Sequence, residues 1–212
     1  MSDSSNLELY TIGHSTHSVE YFISLLKKHS ITAVGDVRSQ PYSQYNPQFN
    51  RENLKEDLKR NNITYVFLGR ELGARSENSE CYIDGKVQFN YLVDEPLFRQ
   101  GVNRLVKGMK QYRIALMCAE KDPITCHRTI LVCREMRLIA AQINHILADG
   151  KIETNSEAEN RLLNTLRIAP DMFKNKNECI EEAYDKQGQK IAYLEEDKQA
   201  TNHSGLDNHE SY

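Results

Sequence analysis

Short apolar segments alternate with amphipathic segments along most of the chain. Five apolar segments have the length of buried strands: 7–12, 31–37, 63–68, 113–117 and 143–147. Between them, apolar residues recur every three or four positions, which is the spacing of a helix with one buried face. Because strands and helices alternate, the pattern predicts an α/β fold, a three-layer sandwich around a mainly parallel sheet of about five strands.

Helix-capping residues precede several of the amphipathic segments. Thr16 or Ser18 can cap a first helix, and Asn50 can cap a second. Helices are also predicted over about 96–109 and 156–166. After the fourth strand, residues at helical spacing are predicted to face the core: Val132, Cys133, Met136, Ile139 and Ala140.

The composition of the chain changes along its length. It predicts four parts: a flexible N-terminus (1–6), the α/β domain (7–169), a C-terminal helical extension (170–196) and a disordered tail (197–212). The extension contains one amphipathic segment, 175–196, and the tail is polar with a single leucine. Within the domain, the polar segment 74–95 is too long for a simple connection and is a candidate lid.

The overall composition excludes several classes of protein. No apolar run approaches the roughly 18 residues that a membrane span requires, and the N-terminus lacks the features of a signal peptide. We therefore expect a cytoplasmic protein with no membrane partner, whose five cysteines are free thiols. Because the net charge is −3, any site for an anion must be a local pocket. The oligomeric state is not specified by the sequence.

Polar side chains that can perform chemistry follow the predicted strands. In chain order these are His14 and Ser15, Asp36 and Arg38, Arg70 and Glu71, Cys118 and Glu120, with Asp149 after the fifth strand. In a parallel sheet the carboxyl ends of the strands share one edge, and ligands bind in the crevice there. The sequence therefore predicts that these residues converge on a single crevice.

The segment 118–128, Cys-Ala-Glu-Lys-Asp-Pro-Ile-Thr-Cys-His-Arg, is the densest in chemical groups. It places two thiols, a carboxylate, an imidazole and a guanidinium in one strand-to-helix turn. Cys126, His127 and Arg128 are predicted at the first turn of the helix, where unpaired N–H groups and the helix dipole favour an anion. A thiol at that position has a lowered pKa, and a protonated His127 lowers it further.

These positions define two sets of candidate site residues. The candidate catalytic residues are His14, Asp36, Glu120, Cys126 and His127. The candidate residues for binding substrate or an anion are Ser15, Arg38, Arg70 and Arg128. Arginine suits phosphate or carboxylate because it can form bidentate contacts, and Asp36 or Glu120 can orient a histidine or act as a general base.

Two other interpretations of the same residues remain open. A metal site built from His14, Cys118, Cys126 and His127 is conceivable, but the spacing is not the Cys-x-x-Cys of structural zinc, so no metal is predicted. Alternatively, Cys118 is a small core residue, and Asp36–Arg38 or Glu120–Arg128 are ion pairs that hold the turns.

Several motifs resemble one known family. The chain resembles the family catalogued as domain of unknown function 488 in four motifs: 11–15 (Thr-Ile-Gly-His-Ser), 36–38 (Asp-Val-Arg), 68–73 (Leu-Gly-Arg-Glu-Leu-Gly) and 118–128. Segments 182–184 and 190–193 resemble the tail of its longer members, so the resemblance covers roughly 7–193. It implies an α/β sandwich and no particular activity. Many members have a small residue or arginine after the prolines of the second loop, whereas this chain has Tyr-Ser-Gln-Tyr at 42–45.

The residues favour an enzyme that acts on a phosphate-bearing substrate, a nucleotide or nucleic acid. The reason is that Arg38, Arg128 and histidines surround a predicted helix N-terminus, with carboxylates available for proton transfer. The alternatives are a thiol-dependent enzyme that uses Cys126, and a non-catalytic module that binds an anion or nucleic acid. The expected partner is thus a small phosphorylated molecule or nucleic acid, and the sequence specifies no cofactor.

Overall fold

A computed structural model describes residues 7–140 and 142–195, and its centre is a six-stranded sheet. The strands are β1 (Glu8–Gly13), β2 (Ala33–Asp36), β3 (Thr64–Phe67), β4 (Tyr82–Ile83), β5 (Lys86–Val87), β6 (Ile114–Cys118), β7 (Gln142–Ile146) and β8 (Ile152–Thr154). The central sheet has the order β3-β2-β6-β1-β7-β8, and β4 and β5 form a separate hairpin. The predicted α/β class with a mainly parallel sheet is therefore confirmed.

The register of the sheet brings the strand ends together. β1 pairs in parallel with β6, with Gly13 opposite Cys118, and with β7 on its other side. β2 pairs in parallel with β6, with Asp36 opposite Met117, and with β3. Only β8 is antiparallel within this sheet. The carboxyl ends of five strands consequently lie along one edge.

Helices cover both faces of the sheet. They are α1 (Val19–Lys28), α2 (Arg51–Arg60), α3 (Gly69–Leu72), α4 (Phe89–Leu92), α5 (Pro96–Met109), α6 (Arg134–Met136), α7 (Asn155–Leu166) and α8 (Lys176–Ile191). Side chains of β6 alternate between the faces, as the pleat of a strand requires. Ala115 and Met117 pack in the core beneath α1 and α2, whereas Ile114 and Leu116 pack in the core beneath α5, α7 and α8.

Side-chain caps fix where the helices begin. Of the two candidates for α1, Ser18 is the cap, because its hydroxyl accepts a hydrogen bond from the Tyr21 N–H at 3.2 Å. Asn50 occupies the N-cap position of α2, but its side-chain oxygen accepts from the Ser43 N–H at 2.7 Å and so holds the preceding loop. Reciprocal capping boxes begin α7 and α8.

The helical segment after β6 differs from its prediction. It begins as a π-helix, Arg128–Cys133, and continues as α6 only to Met136. Val132, Cys133 and Met136 are buried as predicted, but Ile139 is 42% exposed. The prediction for Ile139 was wrong because the helix ends three residues earlier, so the periodicity no longer applies to it.

The candidate lid and the end of the chain pack together. Segment 74–95 contains a 3-10 turn (Ser79–Cys81), the β4–β5 hairpin and α4, so it is more regular than predicted. The Val87 N–H donates to the carbonyl of Tyr193 at 3.0 Å, which adds the C-terminal segment to the hairpin. That pairing is possible because α8 ends at Ile191 rather than extending to 196.

Two sequence predictions fall on the chain ends. The flexible N-terminus at 1–6 and the disordered tail at 197–212 both lie outside the described residues. Among the helices within 7–140 and 142–195, none combines the length and apolarity needed to cross a bilayer.

Candidate functional site

Backbone hydrogen bonds tie three strand ends into one edge. The His14 N–H donates to the carbonyl of Cys118 and the Ser15 N–H to that of Ala119, both at 2.9 Å. The Val37 N–H donates to the carbonyl of Met117 at 3.1 Å. The ends of β1, β2 and β6 therefore lie side by side, and the turn after β6 is in contact with both neighbours.

Four side chains from this turn form a compact group, here called the thiol cluster: Cys118, Glu120, Cys126 and His127. One potential ligand atom from each lies within 4.8 Å of all the others. The Cys126 Sγ is 2.9 Å from Glu120 Oε2, and the Cys118 Sγ is 3.6 Å from His127 Nδ1. Both thiols are buried, His127 is half-buried and Glu120 is exposed, so the group extends from the core to the surface.

The ring of His127 is held by the neighbouring strand end. Its Nε2 is 2.9 Å from the carbonyl oxygen of Val37. Because a carbonyl can only accept, Nε2 must carry the hydrogen, and in the neutral ring Nδ1 presents its lone pair toward Cys118. The ring is therefore oriented so that Nδ1 can act as a ligand or an acceptor.

Arg128 shapes the turn from inside. Its fully buried guanidinium donates to the carbonyls of Glu120 at 2.7 Å and Lys121 at 3.3 Å. Its backbone N–H lies 3.4 Å from the Cys126 Sγ. A Cβ at Gly13 would overlap the carbonyl oxygen of Glu120, so glycine is required for this close approach. The guanidinium thus holds the turn through its two terminal nitrogens.

The surroundings of the two thiols shift their pKa values in opposite directions. Burial, followed by the proximity of Cys126, raises the pKa of Cys118 well above its usual value. Burial opposes ionisation of Cys126 too, but hydrogen bonding with Cys118 and the positive charge of Arg128 hold its pKa well below the usual value. Burial disfavours a charged His127, yet its contacts with Cys126 raise the pKa of the imidazole. Negative charge in the cluster is therefore favoured on Cys126.

A second group at the same edge, here called the arginine network, consists of Asp36, Arg38, His14, Tyr65 and Phe49. Arg38 binds both carboxylate oxygens of Asp36, through Nε at 2.9 Å and NH2 at 2.7 Å, and donates to the Phe49 carbonyl at 2.8 Å. The Tyr65 hydroxyl donates to Asp36 at 2.8 Å. The network therefore satisfies a buried carboxylate from several directions.

His14 completes the arginine network as a neutral ring. Its Nδ1 is 2.9 Å from the Ser15 carbonyl and must donate, so its Nε2 accepts from Arg38 NH1 at 3.2 Å. The ring stacks on Phe49 with 4.3 Å between centroids. Burial, followed by the charge of Arg38, lowers the pKa of His14 to about 4. Both ring nitrogens are thus engaged.

The structure divides the predicted site residues between these groups. Glu120, Cys126 and His127 join Cys118, whereas His14, Asp36 and Arg38 form the arginine network. The metal alternative included His14, but both its nitrogens have other partners and Glu120 stands in its place. Cys126 has extended backbone before the helical segment rather than lying in its first turn. Ser15 is half-buried with a positive φ of 49°.

A cleft of about 640 Å³ lies beside the end of β3 and contains the remaining predicted residue, Arg70. Its lining also includes residues that sequence reasoning missed, among them Phe67, Arg75, Asn78 and Phe98. The only sequence signal was the unusual length and polarity of 74–95, which contributes Arg75 and Asn78. Tyr65 and Phe49 of the arginine network were missed as well, because nothing in their sequence context distinguishes them from core aromatics.

Comparison with known proteins gives one match. The family model described as Domain of unknown function DUF488 matches residues 18–134, which is more than half of the chain. No curated protein and no solved structure matches the chain.

Proposed function

The chain belongs to the DUF488 family, and from the geometry of its thiol cluster we propose that it is a metal-dependent hydrolytic enzyme. The observation that carries the proposal is the convergence of two sulfurs, an imidazole nitrogen and a carboxylate oxygen within 4.8 Å of one another. These are ligand types that zinc and similar cations prefer.

The contacts inside the thiol cluster favour a cation at its centre. The Glu120 carboxylate accepts a hydrogen bond from the Cys126 thiol at 2.9 Å, and Cys126 is the sulfur of the cluster on which negative charge is favoured. Two negative groups at that distance repel each other unless a proton or a cation lies between them. A divalent cation bound by the Cys126 Sγ and by the lone pair of His127 Nδ1 would also stabilise the carboxylate beside it.

The groups around the thiol cluster hold its side chains in the way that the partners of metal ligands commonly do. A histidine ligand generally donates its other ring N–H to a carbonyl or carboxylate, and His127 Nε2 donates to Val37 at 2.9 Å. The Arg128 N–H near the Cys126 Sγ would stabilise a thiolate ligand. Both contacts are made by the chain's own backbone, so the fold itself orients the proposed ligands.

In this proposal Cys118, Cys126 and His127 would hold the metal, and Glu120 would serve as the general base beside it. Zinc with three protein ligands would supply a water of lowered pKa. The exposed carboxylate of Glu120 would accept a proton from the attacking water. The water oxygen would bond to an electrophilic carbon or phosphorus, the bond to the leaving group would break, and the proton would pass from Glu120 to that group.

Metal stoichiometry and cobalt spectroscopy test the ligand set. We expect one zinc per chain by elemental analysis, and thiolate-to-cobalt charge-transfer absorption when Co²⁺ replaces zinc. Cys118→Ser and Cys126→Ser should each lower the affinity for the metal by at least tenfold, on the scale seen when metal-site partners are removed. Cys81→Ala, which removes a buried thiol outside the cluster, should leave affinity unchanged.

Glu120→Gln tests whether the centre is catalytic. In a screen of nucleotides and oligonucleotides, the zinc-loaded wild type should hydrolyse at least one substrate. Glu120→Gln should bind the metal as the wild type does but show no turnover. Loss of metal from Glu120→Gln would make Glu120 a fourth ligand and the site a closed structural one, which contradicts the proposal.

The thiol-dependent enzyme makes opposite predictions for the same protein. It requires that no metal binds and that Cys126 alkylates faster than a model thiol near neutral pH. A non-catalytic module would instead be stabilised by ligand without any turnover. The metal measurement therefore distinguishes the proposed metalloenzyme from a thiol-dependent enzyme. The turnover screen distinguishes it from a non-catalytic module.

A further inference from the structure

The cleft beside β3 has the dimensions of a small-molecule site. Its volume of about 640 Å³ falls in the range of roughly 300–1,000 Å³ that is usual for ligand pockets. Residues from the end of β2, the end of β3, the segment 74–95 and the start of α5 line it. It therefore lies at the carboxyl edge of the sheet, where ligands of parallel α/β proteins bind.

The cleft and the thiol cluster share one stretch of backbone. The Val37 carbonyl holds His127, and Ser39 and Gln40, which follow shortly after, line the cleft. Between them, a Cβ at Gly69 would overlap the Arg38 carbonyl, so the ends of β2 and β3 are packed closely at this point. A molecule in the cleft is therefore adjacent to the strand end that orients a proposed metal ligand.

Two arginines in the cleft have free hydrogen-bond donors. Within 7–140 and 142–195, neither the Arg70 nor the Arg75 guanidinium forms an ion pair or a hydrogen bond. Arg75 lies 3.9 Å over the ring of Tyr193, a contact that uses the flat face of the guanidinium. Its N–H donors point along the plane of the group, so they stay available for a bidentate contact with phosphate.

The carboxylates in the lining are mostly occupied. Glu71 pairs with Arg104 at 2.6 Å, and Glu95 accepts from the Asn78 amide at 2.6 Å. Glu77 is exposed and has no such partner among the residues that the structure describes. A single free carboxylate beside two free guanidiniums suits a ligand that carries an anionic group and also hydroxyl or amino donors.

The rest of the lining is apolar and amide-bearing. Phe67, Leu92, Leu97 and Phe98 supply an apolar wall, and Gln40 supplies an amide with both a donor and an acceptor. Apolar walls with a few placed polar groups are the usual form of a site for a planar organic ligand. A nucleoside has such a planar body and carries hydroxyl and amino groups as well.

We propose that the cleft binds a nucleotide, with the phosphate on Arg70 and Arg75 and the base along the apolar wall. Glu77 and Gln40 face the hydroxyl and amino groups of the nucleoside. The role of this nucleotide as substrate rests on the proposed function of the thiol cluster, whereas its binding requires only the cleft.

Titration calorimetry with nucleoside 5′-monophosphates, the matched nucleosides and inorganic phosphate tests the proposal on the full chain. We expect at least one nucleotide to bind more than tenfold more tightly than both its nucleoside and inorganic phosphate. Arg70→Gln and Arg75→Gln should each weaken that nucleotide by about tenfold or more and leave the nucleoside unaffected. Arg60→Gln, which changes an exposed arginine on α2, is the matched control.

Several results would overturn the proposal. These are equal affinities for nucleotide and nucleoside, unchanged affinity in both arginine variants with unaltered thermal unfolding, or binding of inorganic phosphate as tight as that of any nucleotide. Repeating the titration after chelation separates this proposal from the metal centre. Nucleotide binding that persists after chelation would leave the cleft proposal intact. Failure of the untreated protein to bind any metal would remove the proposed function alone, and metal binding without nucleotide binding would remove the cleft proposal alone.

Discussion

The thiol cluster and the arginine network lie at the same edge of the sheet, yet their contacts differ in kind. In the arginine network each donor faces an acceptor: Arg38 meets Asp36, His14 and a carbonyl. In the thiol cluster the donor is a thiol, because Cys126 donates to Glu120 at 2.9 Å and the His127 Nδ1 lies 3.6 Å from the Cys118 sulfur. Strong, mutually satisfied hydrogen bonds are typical of a structural role, whereas thiols beside an imidazole and a carboxylate are typical ligands of a metal.

This difference shows that acidic and basic side chains at a sheet edge do not by themselves identify a catalytic site. Asp36, Arg38 and His14 have the residue types of an acid–base site, but they form hydrogen bonds with one another. Breaking such a buried set is costly because one charge loses its partner. We therefore expect substitutions in the network to affect stability, and substitutions in the cluster to affect metal and ligand chemistry.

The largest expected effect is that of Asp36→Ala. It leaves Arg38, which is 6% exposed, without its carboxylate, so the free energy of unfolding should fall by about 3–5 kcal/mol. Urea denaturation of the metal-free protein, followed by circular dichroism, measures this loss. Glu120→Gln is the counterpart from the exposed side of the thiol cluster and should change stability by less than about 1 kcal/mol. Equal losses in the two variants would remove the distinction between the regions.

A smaller effect is expected from acid. The pKa of His14 is lowered to about 4 by burial and Arg38, and burial lowers that of His145, outside both regions, to about 3. Each neutral ring stabilises the fold at pH 7. That stability falls as the pH drops from about 6.5 toward 4, because the unfolded chain then binds protons that the folded chain does not. The loss should be on the order of 3 kcal/mol per histidine.

Urea titrations at several pH values between 7 and 4 measure this dependence. His14→Asn and His145→Gln should each reduce the slope of unfolding free energy against pH, whatever they do to stability at pH 7. An unchanged slope in His14→Asn would mean that the pKa of His14 is the same in the folded and unfolded chains, which would contradict a neutral His14 ring buried beside Arg38.

The smallest effect expected within the arginine network is that of Tyr65→Phe. The variant keeps the ring and removes only the hydroxyl that donates to Asp36 at 2.8 Å. Since Arg38 still binds both carboxylate oxygens, the loss should lie toward the low end of the roughly 1.5–3 kcal/mol that a hydrogen bond to a charged group contributes. Thermal unfolding of the two proteins compares them. A loss as large as that of Asp36→Ala would show that the ion pair depends on the tyrosine.

Most of the central sheet follows from local pattern. Each of the five parallel strands is an apolar segment with polar residues after it, and helices at regular spacing separate them. β8 was not predicted, since Ile152–Thr154 is too short to have a detectable period and pairs only because β7 offers an edge. The β4–β5 hairpin has two-residue strands and is stabilised by distant residues near Tyr193, which no local pattern encodes.

The sequence indicated which edge of the sheet holds the candidate site residues. It did not indicate that they divide into the thiol cluster and the arginine network. The residues that lie close together could be identified because they follow predicted strands, and the carboxyl ends of parallel strands share one edge of the sheet. Segment 118–128 stood out because it holds so many reactive side chains. Which atoms pair was not visible, since it depends on side-chain direction. Arg128 was proposed to bind an anion, but it points inward to the carbonyls of Glu120 and Lys121. The cleft forms where segment 74–95 packs near α5, and such long-range packing has no local sequence signal. The sequence therefore indicated only that the polar segment 74–95 is a candidate lid.

The central place of β1 has a consequence for the order of assembly. β1 lies between β6 and β7, so the earliest strand of the chain is fixed only after much later segments have formed. Gly13 pairs opposite Cys118, and the turn that carries Cys126 packs over that glycine. Cys126 and His127 are neighbours in sequence and can meet a cation in a nascent chain. The carbonyl of Val37 orients His127 only when β2 has paired with β6, so full affinity for a metal would mark the completion of folding rather than guide its start.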